Sequence, residues 1–107
     1  MRNLIEGYDE LEKKLGYEPN FHDDTIEKVI INKDRIEFEL ITVDDVLYSV
    51  IFEDVQEINL KGDFKFVVEL GVIFALEIEQ FDGMLKTTIE ESLGLYGEII
   101  SKRIIVK

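Results

Sequence analysis

The only proline of the chain, Pro19, divides two different hydrophobic rhythms. Before it, Leu4, Tyr8, Leu11 and Leu15 recur at spacings of 4, 3 and 4, which places them on one face of a helix. Glu6, Glu10, Glu12, Lys13 and Lys14 take the other side, and Gly16 is positioned to end the helix. After the proline no helical period is sustained to the C-terminus, and the pattern becomes strands and turns. That switch restricts the chain to an α+β architecture: one N-terminal helix packed on a largely antiparallel sheet of about six to eight strands. With 107 residues and no linker, repeat or low-complexity tract, residues 1–107 form a single domain with a modest core.

The strand-like stretches follow one another through recognisable turns. Residues 25–31 are short and β-branched, and Asn32-Lys33-Asp34 is a turn signal. Residues 35–43 alternate, with Ile36, Phe38 and Leu40 on one side and Arg35, Glu37 and Glu39 on the other. Asp44-Asp45 turns the chain into residues 46–52, which are apolar on both faces and suit the middle of a covered sheet. Residues 55–60 read as a short edge segment. Lys61-Gly62-Asp63 turns into two further strands, 64–70 and 72–80, broken at Gly71. Phe81-Asp82-Gly83 makes a hairpin loop, and Leu85, Thr87 and Ile89 alternate after it. A glycine-bearing bend over residues 91–97 leads to a closing strand, 98–106.

Composition limits what such a domain does. The chain holds 24 acidic and 12 basic residues, a net charge of −12, so nucleic acid and anionic membrane are both repelled. No apolar run approaches the roughly 20 residues needed to span a bilayer, and the start turns acidic too soon for a signal peptide. Cysteine is absent, which removes disulfides and thiolate metal sites. A cytoplasmic location fits these features. The charge is unevenly placed. Between Ile36 and Leu60 there is no Lys or Arg, while Glu37, Glu39, Asp44, Asp45, Glu53, Asp54 and Glu57 are acidic. A second base-free stretch, 66–85, carries Glu69, Glu77, Glu79 and Asp82, and the last seven residues carry three positive charges. Such stretches keep a small protein soluble or form a surface for a basic partner, and the acids between Glu37 and Glu57 are the candidate contacts.

The segment Glu18-Pro19-Asn20-Phe21-His22-Asp23-Asp24 concentrates the unusual chemistry, including the only histidine. His22 with Asp23 resembles half of a metal-binding doublet, but no second histidine exists to complete a zinc or iron site. No EF-hand, P-loop, dinucleotide fingerprint or nucleophile elbow is present. Neither catalytic residues, a metal nor a cofactor is expected. The segment reads better as a junction pin: Pro19 sets the approach to the first strand, Phe21 plugs the core, an aspartate accepts backbone N–H bonds, and His22 hydrogen-bonds at a half-buried junction.

Pro19-Asn20-Phe21-His22-Asp23 leading into a first strand resembles the immunity protein 50 family of bacterial polymorphic toxin systems. Ile73-Phe74-Ala75-Leu76-Glu77-Ile78 and Gly94-Leu95-Tyr96-Gly97-Glu98-Ile99 are similar to later segments of that family, so the resemblance spans residues 19–106. It implies a non-enzymatic inhibitor that binds and neutralises a cognate toxin domain, and it brings no catalytic residues. Pro19, Phe21, His22 and Asp23 are the positions matching the family motif. A basic toxin would meet an acidic inhibitor with favourable steering. The competing expectations are a small oligomeric binding domain, such as a homodimer paired through an open strand edge, and a hydrolase or metal enzyme centred on His22.

Overall fold

The computed structural model describes residues 2–62, 72–73, 76–90 and 95–107. The strand expected at 64–70, its break at Gly71, and residues 91–94 of the expected bend lie outside the described residues, as does Glu69. The chain forms one short 3-10 turn (Arg2–Leu4), one helix α1 (Tyr8–Leu15) and strands β1 (Asp24–Asn32), β2 (Arg35–Ile41), β3 (Leu47–Gly62), β4 (Val72–Ile73), β5 (Leu76–Phe81), β6 (Met84–Ile89) and β7 (Leu95–Val106). The described strands make one sheet in the order β4-β1-β2-β3-β7-β6-β5, antiparallel at every pairing. This is the α+β fold expected, a single helix packed on an antiparallel sheet.

The sheet is curled. β4 and β5 lie at its two opposite ends, yet only two residues separate Ile73 from Leu76. Three Cα steps reach at most about 11 Å. The edges of a flat sheet of this width would be about 29 Å apart at ordinary strand spacing. The sheet therefore bends round until its edges approach, in the manner of a barrel. One continuous apolar interior results. It takes Ile36, Phe38 and Leu40 from β2, Tyr48, Val50 and Phe52 from β3, Ile99, Ile104 and Val106 from β7, and Leu76, Leu85 and Ile89 from β5 and β6. Phe38 and Phe52 meet edge to face at 5.6 Å.

The helix covers one end of this interior with Tyr8 and Leu11, and the preceding Ile5 is buried beside them. At eight residues α1 is too short to be stable alone, so packing holds it. The sequence periodicity runs the helix back to Leu4, but the structure starts it at Tyr8. Glu6 instead pairs with the end of β7, its N–H donating to Ile104 O at 2.9 Å and its carbonyl accepting from Val106 N–H at 2.8 Å. Gly7 makes the change of direction possible. It adopts φ 83°, and a Cβ there would lie 2.3 Å from Val106 O.

Residues 55–60 are no edge segment. They continue β3 through the centre of the sheet, paired with β7 as far as Gly62. The strand bends instead of ending. Asp54 takes a left-handed φ of 53°, the register with β7 shifts between Val55 and Glu57, and Val55 N–H donates to Asp34 O at 2.8 Å in the β1–β2 turn. Inward positions change phase there, from Tyr48, Val50 and Phe52 before the bend to Val55 after it. Two further sequence expectations match. Of the strand expected at 46–52, residues 47–52 lie at mid-sheet, with Ile51 2% exposed although it points away from the main core, while Val46 stays in the turn before it. Asp82 and Gly83 make a two-residue hairpin turn with both φ positive.

Candidate functional site

The Pro19–Asp24 segment closes the helix-covered end. Pro19 is buried, and Tyr8 OH donates to Glu18 Oε1 at 3.0 Å and to Pro19 O at 3.3 Å, tying helix to connector. Phe21 is 1% exposed and its ring lies 6.2 Å from that of Tyr48. Phe21 and Asp23 both have left-handed backbone, at φ 55° and 63°, so the chain doubles back on either side of His22. Asn20 Oδ1 accepts the His22 N–H at 2.9 Å, making the Asx turn that had been expected of an aspartate. His22 stands in solvent instead of half-buried, its Nδ1 2.9 Å from Asp23 Oδ2.

Asp24 is the buried acid of the segment, not Asp23, and it accepts a hydrogen bond from Tyr48 OH. Burial raises its pKa above the ordinary aspartate value; the Tyr48 bond works against that rise and the charge of Asp23 adds to it. Burial likewise pushes the Tyr48 phenol upward, so it remains a donor. The sequence signal for Asp24 was its phase: it stands two positions before the inward Ile26 on β1. The segment therefore joins β1, β3 and the helix, and its chemistry serves the closure.

The seven candidate acids of the first base-free stretch are dispersed. Glu37 and Glu53 lie on the outward face of β2, β3 and β7, where two arginines engage them. Arg35 approaches Glu37 at 3.3 Å and Glu53 at 4.0 Å. Arg103 reaches Glu53 at 3.1 Å and grips both oxygens of Glu6 at 2.7 Å. That grip holds the Glu6 carboxyl below the ordinary glutamate value. Glu39 sits on the same face opposite Lys28 and Ser49 in register, and Ser49 pairs through its backbone with Lys107. Asp44 and Asp45 stand at the β2–β3 turn, which Thr42 Oγ1 organises by accepting the N–H groups of Asp44 and Val46 at 3.2 and 3.1 Å. Asp54 marks the bend of β3, and Glu57 lies beyond it.

A different acidic surface assembles past that bend, on the outward face of β3, β7, β6 and β5. Cross-strand partners share a face. One row reads Glu57, Ile100, Lys86, Glu79 and the next Asn59, Glu98, Thr88, Glu77. Tyr96 lies opposite Lys61, and Glu90 follows β6 beside them. Lys86 pairs with Glu98 at 3.2 Å and lies over the Phe81 ring at 5.3 Å. Glu77 and Glu90 crowd each other: a hydrogen bond between the two carboxyls, reinforced by their mutual repulsion, raises the Glu77 pKa. Five carboxylates thus surround two lysines. Of these, Glu57, Glu77 and Glu79 fell in the base-free stretches, whereas Glu90 and Glu98 join them only through strand register. Among the described residues no group of three or more His, Asp or Glu is arranged to hold a metal ion, and no helix is long and apolar enough to cross a membrane.

No protein-family model matches the chain, and no curated protein matches it. The structure is similar to the crystal structure of an uncharacterized protein from Neisseria gonorrhoeae, with a TM-score of 0.59 at 12% sequence identity, over 80% of this chain and 91% of that one. At that identity the likeness is one of fold alone.

Proposed function

We propose that this chain is a non-enzymatic inhibitor of the immunity type, which binds and neutralises a basic toxin domain inside the bacterial cell that makes both. The observation carrying the reading is the outward face of β3, β7, β6 and β5, where Glu57, Glu77, Glu79, Glu90 and Glu98 outnumber Lys61 and Lys86. Carboxylates held on paired strands form a rigid field that steers a basic partner and fixes its orientation. The resemblance of residues 19–106 to the immunity protein 50 family supplies the class of partner. In this reading His22 and Asp23 belong to the exposed outside of a structural closure, and the recognition chemistry lies on the sheet.

The test is direct. The toxin domain encoded beside this gene is purified and titrated with the protein at low and at high salt. A one-to-one complex is expected, with association slowing at least about tenfold as salt screens the steering field. Absence of any complex at low salt refutes the proposal.

A further inference from the structure

The acidic face is not flat. A recess of about 380 Å³ opens between the second half of β3, the start of β7 and the end of β6. Lys61, Tyr96 and Glu90 line one edge and Asn59, Glu98 and Thr88 the other, with the β7 residues Tyr96 and Glu98 in the middle of each. The backbone of Ile89 and Gly97, an antiparallel pair, makes its floor, with the Ile89 side chain turned into the interior. Tyr96 is 39% exposed, so part of its ring is open to solvent. Resting on the inhibitor reading above, we propose that this recess anchors an arginine side chain of the basic partner.

The fit is chemical. An arginine carries a long apolar stem and a flat, delocalised cation, and the recess offers a counterpart to each. The stem would lie along the Tyr96 ring and over the backbone of Ile89 and Gly97, and the guanidinium would stack on the phenol face while donating to carboxylate oxygens. Lys86 engages Oε2 of Glu98, and the second oxygen of that carboxylate remains for an incoming donor. Glu90 shares its hydrogen bond with another carboxyl, Glu77, and an arriving cation relieves that repulsion. Lys61 sets the preference between the two basic side chains. A compact ammonium placed here would face the Lys61 charge without gaining a planar stack, whereas a guanidinium spreads its charge and keeps the stack.

The test uses the whole protein, isotope-labelled, titrated at low salt with acetylated tri-arginine amide and with its tri-lysine counterpart while amide resonances are followed. The arginine peptide is expected to move the amides of residues 88–90 and 96–98 most, and to bind about fivefold tighter or more than the lysine peptide. Tyr96→Ala and Glu90→Gln, each with the remaining spectrum unchanged, are expected to erase that preference. Equal affinity of the two peptides, shifts spread over all acidic surfaces, or a preference that survives in Tyr96→Ala overturns the inference. The neighbouring toxin separates the two ideas. If it binds the wild type and both variants equally, the recess is no anchor and the inhibitor reading stands. If it does not bind the wild type, the inhibitor reading falls, whatever the peptides do.

Discussion

Two outward faces of one sheet carry carboxylates at similar density and treat them in opposite ways. On the face of β2, β3 and β7, Glu6, Glu37, Glu39 and Glu53 are set among Lys28, Arg35, Arg103 and Lys107, with Arg35 and Arg103 bridging neighbouring acids. Past the bend at Asp54, on β3, β7, β6 and β5, Glu57, Glu77, Glu79, Glu90 and Glu98 have, among the described residues, Lys61 and Lys86 beside them, and two of the carboxyls press on each other. The first face pairs most of its carboxylates with arginines and fastens the N-terminal segment to β7. Among the described residues, the second carries an excess of carboxylate. Local acidity therefore says little about a binding surface until the counter-charges are placed.

Both faces hang on one interior, and the largest expected effect removes them together. Phe38→Ala, at a fully buried site packed on Phe52, should lower unfolding free energy by about 3–5 kcal/mol in denaturant titration. A variant in which one face unfolded before the other would break the idea of a shared core. Glu77→Lys with Glu79→Lys should separate the faces. If the inhibitor proposal holds, affinity for the basic toxin should fall by about a hundredfold, while the melting temperature holds or rises because like-charge crowding is relieved. The same reversal at Glu53 on the balanced face should lower the melting temperature more than it changes affinity, and an opposite outcome in the paired assays would exchange the roles assigned to the two surfaces.

Tyr48→Phe deletes the donor to buried Asp24 and should cost about 1–3 kcal/mol at neutral pH. Asp24 has its pKa raised in the folded state, so folding takes up a proton there, and the penalty should shrink as pH falls toward the ordinary aspartate range. A penalty independent of pH would place the cost in packing alone. Thr87→Val should raise stability by about 1 kcal/mol, because its hydroxyl is fully buried with no hydrogen-bond partner among the described residues. A loss there would mean that the hydroxyl has a partner. The smallest effect distinguishes the faces by acid titration. Glu77 is raised, so the acidic face should gain stability as pH drops from neutral through its folded pKa; Glu6 is lowered, so the balanced face should lose stability only below the ordinary glutamate range. Glu77→Gln and Glu6→Gln melting curves across pH should remove one limb each.

Much of the interior was legible in residue order. The inward set Ile36, Phe38, Leu40, the mid-sheet position of residues 47–52, the Asp82-Gly83 turn and the alternation Leu85, Thr87, Ile89 all follow from period and turn chemistry, which are local. Pro19 and Phe21 announced a structural junction for the same reason. The helix start, the continuation of β3 past Asp54 and the exposed place of His22 were not legible, since each depends on a contact with a distant strand or on a left-handed backbone that local patterns do not encode.

The sequence by itself determined that a helix precedes antiparallel strands, which side of most strands is apolar, and that the surface is strongly negative. Only the tertiary structure decided that the sheet curls until its edges approach, that Asp24 meets Tyr48, and which acids are answered. Arg103 finds Glu6 across nearly the whole chain, while Glu77 finds Glu90. Pairing register between remote strands decides such encounters, and side chains that face each other across a ladder leave no mark in the order of residues along it.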